Sequence, residues 1–163
     1  MIRKFIQFSI MFTSIHAPIQ LLDVFSSSVS AEDTCDSAIE FMKNDVYQRI
    51  GGSISSIDIS KAYNSPFNNA NEVVWVGLGD RANRSRNVAS YNISNSPVLL
   101  REYAGKIITG CSKVIKVTFG EANTDVNTGG WYLGVDNQIR REKCVDLPGR
   151  NGPDLPWGKT YCM

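Results

Sequence analysis

The segment that most constrains the fold is residues 72–78, which read EVVWVGL. Its apolar side chains fall on both alternating faces, whereas a strand with one face in water alternates apolar and polar residues. A strand of this kind must be covered on both faces, which predicts a position inside a sheet and not at its edge. The remaining segments must therefore supply neighbouring strands and a covering layer of helices.

Two amphipathic helices are predicted to provide that layer. The first spans residues 35–50, where apolar residues recur every three or four positions and Gly51 marks the end. The second has Pro97 at its first position and ends at Gly110. The predicted inner faces of the two helices consist of Ile39, Met42, Val46 and Ile50 and of Leu99, Leu100, Tyr103, Ile107 and Ile108.

Further strands are predicted at residues 53–60, 112–119, 131–135 and 138–145, the last two joined by a two-residue hairpin turn at Asp136-Asn137. Residues 79–96 are polar and are predicted to be irregular, as is the tail after residue 146, which contains three prolines and three glycines. Helices that are separated from runs of strands indicate an α+β fold. We expect a mostly antiparallel sheet of about five strands, packed by two helices and stabilised by disulfides.

Residues 1–31 have the three regions of a secretory signal peptide. Arg3 and Lys4 form its positive start, and residues 5–15 form an apolar core of 11 residues. The small residues that end at Ala31 predict cleavage there. An uncleaved membrane anchor is the alternative, but a spanning helix needs about 20 apolar residues, which this segment does not provide.

Cleavage would leave residues 32–163, which are expected to form a single globular domain with no membrane span. The whole chain has 163 residues, with 17 Lys and Arg, 16 Asp and Glu and one histidine, His16. The mature 132 residues would keep 15 basic and 15 acidic side chains and no histidine. Zero net charge argues against specific nucleic-acid binding. Without histidine, Ser-His-Asp and Cys-His triads and His-ligated zinc are excluded, and we assign no catalytic residue, cofactor or metal.

The four cysteines, Cys35, Cys111, Cys144 and Cys162, all belong to the mature chain. An even number in a secreted chain predicts two disulfides, for which three pairings are possible. We favour Cys35–Cys111, which would join the two helices. The second bond would then be Cys144–Cys162, which would tie the tail to the last strand. Free buried thiols are the alternative.

The segment Gly77-Leu78-Gly79-Asp80-Arg81-Ala82 matches the G-x-G-x-x-A pattern of dinucleotide-binding turns. That pattern works only where a helix begins directly afterwards and points its N-terminus at the pyrophosphate. Because residues 83–96 are predicted to be irregular, we interpret the glycines as a turn at the end of the strand.

Asn123, Asp125 and Asn127 are spaced like the ligands of a calcium-binding loop. An EF-hand is excluded, because Thr128 stands where that loop needs glycine and Gly134 where it needs a bidentate glutamate. A looser calcium site is the alternative to the plain turn-rich loop that we favour.

Arg81, Arg84 and Arg86 form the strongest local charge and are our candidate anion-binding residues. From residue 81 to residue 116 the chain has seven basic residues and one acidic residue, whereas residues 32–58 have six acidic and two basic ones. Such arginines can bind a phosphate, a sulfate or an acidic glycan. The simpler interpretation, which we favour, is a solvated loop whose arginines pair with the acidic first helix.

The final third contains the segments Thr118-Phe119-Gly120, Cys144-Val145-Asp146 and Leu155-Pro156-Trp157-Gly158-Lys159-Thr160-Tyr161-Cys162. In these segments the chain resembles small secreted cyanobacterial proteins of unknown function, most clearly over residues 110–163. The resemblance implies a periplasmic or extracellular bacterial protein, in which the glycosylation sequons at Asn83 and Asn92 would be idle. It carries no catalytic residues over to this chain.

We expect a non-enzymatic, secreted or periplasmic binding or interaction domain, whose partner is an anionic ligand or another protein. One alternative is a small hydrolase that cleaves glycans with carboxylates in place of histidine, which would need two acidic side chains in a cleft beside an exposed tryptophan. The other is an anion binder that uses Arg81, Arg84 and Arg86. Several aromatic residues could stack on sugars, although packing in the core or against a disulfide is the favoured role: Trp75, Trp131, Tyr132, Trp157 and Tyr161.

Overall fold

The computed structural model of the protein describes residues 31–80, 82–122, 126–146 and 155–161. Its helices are α1 (Ala31–Asn44), α2 (Arg84–Ser94) and α3 (Pro97–Gly110), with a π-helical turn (Asp45–Arg49) directly after α1. Its strands are β1 (Ile54–Lys61), β2 (Glu72–Leu78), β3 (Val114–Glu121), β4 (Asn127–Leu133), β5 (Ile139–Arg141), β6 (Lys143–Val145) and β7 (Lys159–Tyr161). No helix in these ranges is long and apolar enough to cross a membrane. Almost all of the predicted signal peptide lies outside the described residues.

Strands β1 to β5 form one sheet and follow each other in chain order. β2 pairs antiparallel with β1 and parallel with β3, and β4 pairs antiparallel with both β3 and β5. The parallel pair requires a crossover connection, which α2 and α3 provide. The predicted α+β class with a mostly antiparallel sheet is confirmed, and β2 lies inside the sheet as its apolar sequence predicts.

Helices α1 and α3 cover one face of the sheet and form the core with it. Their predicted inner faces are confirmed: Met42 on α1 and both Tyr103 and Ile107 on α3 are fully buried. From the sheet, Phe119 packs edge-on against Trp131, with ring centroids 5.8 Å apart. Burial of each large apolar side chain contributes roughly 1.5–3 kcal/mol to stability.

The Cys35–Cys111 disulfide joins α1 to the residue after α3, as predicted. The Thr34 hydroxyl also donates a hydrogen bond to the Gly110 carbonyl oxygen at 2.8 Å. The start of α1 and the end of α3 are therefore held together both covalently and by a hydrogen bond. The predicted partner of Cys144, Cys162, lies outside the described residues.

The prediction that residues 79–96 are irregular is wrong, because most of them form α2. Asn83 caps this helix, since its side-chain oxygen accepts a hydrogen bond from the Arg86 N–H at 3.1 Å. Ser90 is buried, and its hydroxyl exchanges hydrogen bonds with the Ser53 backbone. Contacts from outside the segment thus stabilise a helix whose own composition is polar. The described chain accordingly has three α-helices where two were predicted.

The predicted strand at residues 138–145 is divided in two. β5 stays in the main sheet, while β6 pairs in parallel with β7 of the tail. A hairpin joins β4 to β5, but the predicted two-residue turn at Asp136-Asn137 is wrong. The Gly134 N–H donates to the Gln138 carbonyl oxygen at 2.9 Å and the Asn137 N–H to the Gly134 carbonyl oxygen at 2.9 Å, so the connection has three residues, 135–137, the last of them left-handed at φ 59°. Trp157 in the tail packs edge-on against Tyr132 of β4. The chain leaves the main sheet at Glu142, between β5 and β6.

Candidate functional site

Two of the three predicted anion-binding arginines, Arg84 and Arg86, are described by the structure, and they are not gathered into a cavity. Arg84 is exposed in the first turn of α2, and the Arg86 guanidinium carbon lies 3.7 Å from the centre of the Tyr47 ring. Arg81 lies outside the described residues. The Tyr47 contact shows that Arg86 packs against the predicted first helix through an aromatic ring and not through an acid. The described residues line four cavities of interest: one at the bend between β5 and β6, two between α3 and β5, and one beside Leu78 and Glu121. Neither Arg84 nor Arg86 lines any of them.

The G-x-G-x-x-A segment is followed by a helix, so the sequence argument against a dinucleotide turn is wrong on that point. Packing nevertheless explains both glycines. A Cβ at Gly79 would lie 2.5 Å from Asn87 Oδ1, and one at Gly77 would lie 2.7 Å from Ser56 Oγ. Asn87 thus occupies the space beside Gly79 through which a pyrophosphate would approach the backbone.

Acidic side chains do not cluster in the part of the chain that the structure describes. No group of three or more His, Cys, Asp or Glu in those ranges is placed to hold a metal ion. Asn123 and Asp125 of the calcium-like spacing lie outside them. Each of the four cavities is lined by at most one described carboxylate, which is Glu142, Glu102 or Glu121 where one is present. The described residues therefore do not supply these cavities with the carboxylate pair that a glycan hydrolase would need.

Glu142 has the most unusual environment of the described acids. Its backbone N–H donates to the Gly130 carbonyl oxygen at 2.8 Å, at the bend between β5 and β6. Its side chain is only 2% exposed, and its Oε1 lies 2.6 Å from Lys116 Nζ. Its Oε2 has no hydrogen-bond partner among the described residues. Leaving a buried polar group unpaired costs roughly 1–3 kcal/mol, and more for a charged group, so this oxygen calls for a further donor.

A glycine provides the room for this carboxylate. A Cβ at Gly130 would clash with Glu142 Oε2. Gly130 lies opposite Thr118 of β3, and Lys116 is two residues before Thr118 on the same side of the strand. Because Val117 faces the helices and the core, Lys116 and the bare backbone of Gly130 lie on the opposite face of the sheet. Glu142 folds over that face and meets Lys116 there.

The Glu142 cavity has a volume of about 380 Å³ and lies where β5 ends. β5 pairs with residues 131–133 of β4, after which the chain turns away to pair with the tail. The beginning of β4, the bend and the β6–β7 pair therefore enclose a hollow, whose polar lining includes Asn127, Thr128, Arg141, Glu142, Thr160 and Tyr161. Its volume is within the range of small-molecule sites.

Most polar groups in the Glu142 cavity are uncharged. The Thr128 hydroxyl already donates to the Phe119 carbonyl oxygen at 3.0 Å, so it can still accept. The Asn127 Oδ1 accepts from the Gly129 N–H at 2.8 Å, so the Asn127 NH₂ group can still donate. Together with Glu142 Oε2, the cavity thus offers both acceptors and a donor.

Sequence reasoning missed Glu142 and Lys116. Glu142 falls inside a predicted strand between two cations, Arg141 and Lys143, and nothing in that pattern predicts burial. A usable signal is the consecutive pair Gly129-Gly130, because glycine inside a strand often marks a place where another segment or a ligand approaches closely.

A second surface, the cationic groove, runs between α3 and β5. It consists of two adjoining cavities of about 720 and 580 Å³ that share Val98, Arg101 and Ile139. The larger cavity contains four cations and no described carboxylate: Arg101, Arg140, Arg141 and Lys143. The smaller one adds Lys106 and Glu102. An excess of positive charge in a groove attracts anionic ligands.

A polar link joins the π-helical turn to α3. The Tyr103 hydroxyl donates to Asp45 Oδ2 at 2.5 Å, and Arg49 Nη2 lies 2.7 Å from the same oxygen. Burial raises the pKa of Tyr103 well above its ordinary range, and the hydrogen bond to Asp45 adds to this. Burial by itself would raise the pKa of Asp45, but the hydrogen bonds from Tyr103 and Arg49 outweigh it and hold the pKa below its usual value. These residues line none of the four cavities, so we assign them a structural role.

No protein-family model, no curated protein and no solved structure matches this chain. Its function therefore has to be argued from the two surfaces described above, the Glu142 cavity and the cationic groove.

Proposed function

We propose that this protein is a secreted or periplasmic, non-enzymatic binding domain, and that its Glu142 cavity holds one neutral sugar unit. The observation that carries this proposal is the buried Glu142 Oε2, which has no partner among the described residues. A hydroxyl group of a ligand would supply the missing donor and would relieve the cost of the unpaired oxygen.

Sugar hydroxyls suit the other polar groups of the cavity as well. Each hydroxyl donates one hydrogen bond and can accept two. Oε2 lies just beneath the lining, so a shift of the Glu142 side chain would let a ligand hydroxyl donate to it. The Asn127 NH₂ group and the Thr160 hydroxyl lie in the same cavity. A site with both donors and acceptors selects ligands whose hydroxyls match them, because an analogue without the hydroxyl leaves a buried group unpaired.

The charges in the cavity favour a neutral ligand. The negative charge of Glu142 is already balanced by Lys116 at 2.6 Å. Arg141 adds a positive charge to the lining, which would repel an ammonium group. A carboxylate or phosphate placed against Glu142 Oε2 would meet a like charge. A sugar without charged substituents avoids both penalties.

Binding without cleavage follows from the number of carboxylates. Glycoside hydrolysis ordinarily uses two carboxyl groups that flank the scissile bond. Glu142 is the only described acid in its cavity, and its Oε1 is held by Lys116. The glycan-hydrolase alternative therefore has less support than a binding role.

Several features support the proposed location outside the cytoplasm. The Cys35–Cys111 disulfide is of a kind that forms and persists in oxidising compartments. The positive, apolar and small-residue regions of residues 1–31 are those of a secretory signal. The resemblance to secreted cyanobacterial proteins points the same way.

Saturation-transfer NMR with the purified protein and glucose, galactose or N-acetylglucosamine tests the proposal. We expect at least one of these sugars to bind, and glucosamine and glucuronic acid to bind more weakly because each carries a charge. Glu142→Gln preserves the shape of the side chain and should weaken binding about tenfold or more, since hydrogen bonds to charged groups are the stronger ones. Thr160→Val should weaken it by a smaller factor.

Glu40→Gln is the matched control, because Glu40 is an exposed acid of α1 that pairs with Lys43. It should leave sugar binding unchanged. Thermal unfolding of Glu142→Gln would show whether this variant folds. If it does not fold, the sugar affinity of Thr160→Val still tests the cavity. Absence of binding by all three neutral sugars, or equal binding by wild type and Glu142→Gln, would refute the proposal. Release of nitrophenol from nitrophenyl glycosides would favour the hydrolase instead.

A further inference from the structure

We infer that the cationic groove is a docking surface for an acidic peptide segment, which binds in an extended conformation beside β5. This surface shares Arg141 with the Glu142 cavity but otherwise has different lining residues, so peptide docking goes beyond the proposed sugar binding. The edge of β5, the cations along it and the apolar side chains between them each point to this kind of ligand.

β5 is the last strand of the five-stranded sheet, and no strand among the described residues pairs with its outer edge. The Gln138 carbonyl oxygen accepts from the N–H of Gly134, the residue after β4, at 2.9 Å, and the Glu142 N–H donates to the Gly130 carbonyl oxygen of β4 at 2.8 Å. Backbone groups of successive residues in an antiparallel strand point alternately towards and away from the partner. Ile139 and Arg141 therefore direct their N–H and C=O groups away from β4, and no described strand pairs with them there. An edge of this kind is a template for another extended chain.

Cationic side chains accompany this edge along its length: Arg101 and Lys106 from α3, and Arg140, Arg141 and Lys143 from the strand side. Arg140 pairs with Asp136. Arg101 and Lys143 are exposed, and no ion pair within the described ranges includes them. Because residues 32–163 have no net charge, the excess is local to this groove. It selects a ligand with acidic groups.

Apolar side chains line the groove between the cations. Val98 of α3 and Ile139 of β5 belong to both halves of it, and Val98 is 79% exposed. Successive side chains of an extended peptide point to opposite sides, so acidic and apolar residues in alternation would meet the cations and Val98 respectively. At about 3.3 Å per residue, β5 and the residue on either side of it, 138–142, match about five peptide residues. An acidic glycan cannot pair with the strand edge, which favours a peptide.

The test is fluorescence anisotropy of a labelled peptide of about seven residues that alternates glutamate and valine. We expect it to bind the purified protein at low salt and to dissociate as salt is raised. Arg101→Ala/Lys143→Ala should weaken binding about tenfold, because both exposed cations lose their contacts with the peptide. Arg84→Ala is the matched control, since Arg84 is an exposed cation outside the groove, and it should have no effect. Circular dichroism of the variants would verify that they are folded.

A version of the peptide that is N-methylated at alternate backbone nitrogens separates strand pairing from charge. It keeps the glutamates but cannot form the edge hydrogen bonds, so it should bind at least tenfold more weakly. Peptide docking is overturned if the unmodified peptide does not bind, or if a heparin oligosaccharide or the N-methylated peptide binds equally well. An equal loss in Arg84→Ala would move anion binding to α2 and would also overturn the assignment to the groove.

Discussion

At the scale of single residues, the Asp45–Tyr103 hydrogen bond links stability to pH. The pKa of Asp45 is lower in the folded protein than its ordinary value, so folding favours the charged carboxylate. The resulting stabilisation is fully present above the ordinary Asp pKa of about 3.9. It is lost as the pH falls through the lowered pKa of the folded state.

Tyr103→Phe removes the donor to Asp45 and keeps the buried ring. We expect the free energy of unfolding near neutral pH to fall by about 1–2 kcal/mol. The pKa of Asp45 should rise towards its ordinary value, because a hydrogen bond to the charged form is lost. Urea unfolding at a series of pH values should show that the difference from wild type narrows as Asp45 becomes protonated.

Tyr91→Phe is the control for this substitution, because Tyr91 is 65% exposed on α2. It should change stability little at any pH. If the loss in the free energy of unfolding of Tyr103→Phe stays constant at pH values where Asp45 is protonated, Asp45 is not the group involved.

Glu142 shows why the sequence did not predict the candidate site. Its burial depends on the missing side chain of Gly130 and on the amine of Lys116, which lie on two other strands. The hydrophobic periodicity of a segment predicts its secondary structure, but it does not predict which distant residues a bend brings together. Local charge made Arg81, Arg84 and Arg86 the candidates for an anion site, as the alternative to a solvated loop, whereas the structure gathers other cations into a groove.

At the scale of elements, the three helices differ in how clearly their sequence patterns predict them. α1 and α3 have apolar stripes and clear end signals, such as Pro97, and both were predicted. α2 has a polar sequence and only a narrow buried side, formed by Ser90 and Ile93. Its stability comes from contacts with other segments, which sequence periodicity does not report.

Asn83→Ala tests how much the cap contributes to α2. Asn83 accepts a hydrogen bond from the Arg86 N–H, and loss of such a cap costs about 1 kcal/mol. The free energy of unfolding, measured with urea, should fall by that amount. Asn92→Ala makes the same chemical change at an exposed position within α2 and should stay within about 0.5 kcal/mol of wild type. Equal effects of the two substitutions would argue against the cap.

At the scale of the whole molecule, the sheet separates two layers. One layer is the helices α1 and α3, which share the core and the Cys35–Cys111 disulfide. The other is the bend at Glu142 with the β6–β7 pair, which lies where β5 ends. The pairing Cys35–Cys111 is one of three that the sequence allows, and it is favoured there only because it joins the two predicted helices. The division of residues 138–145 between two sheets was not predictable, since it depends on the tail.

The disulfide should stabilise the molecule mainly by restricting the unfolded chain. Its cysteines are 76 positions apart, for which the chain-entropy model gives about 4 kcal/mol. We expect Cys35→Ala/Cys111→Ala to lower the free energy of unfolding by about 2–4 kcal/mol. Cys35→Ala alone also breaks the bond but keeps the buried Cys111 side chain. The difference in the free energy of unfolding between the single and the double variant therefore measures the packing contribution of Cys111. Because the helical layer and the Glu142 cavity are on different sides of the sheet, sugar binding by the folded double variant should equal that of wild type. A loss of sugar binding at temperatures where the variant is still folded would show that the two layers are coupled.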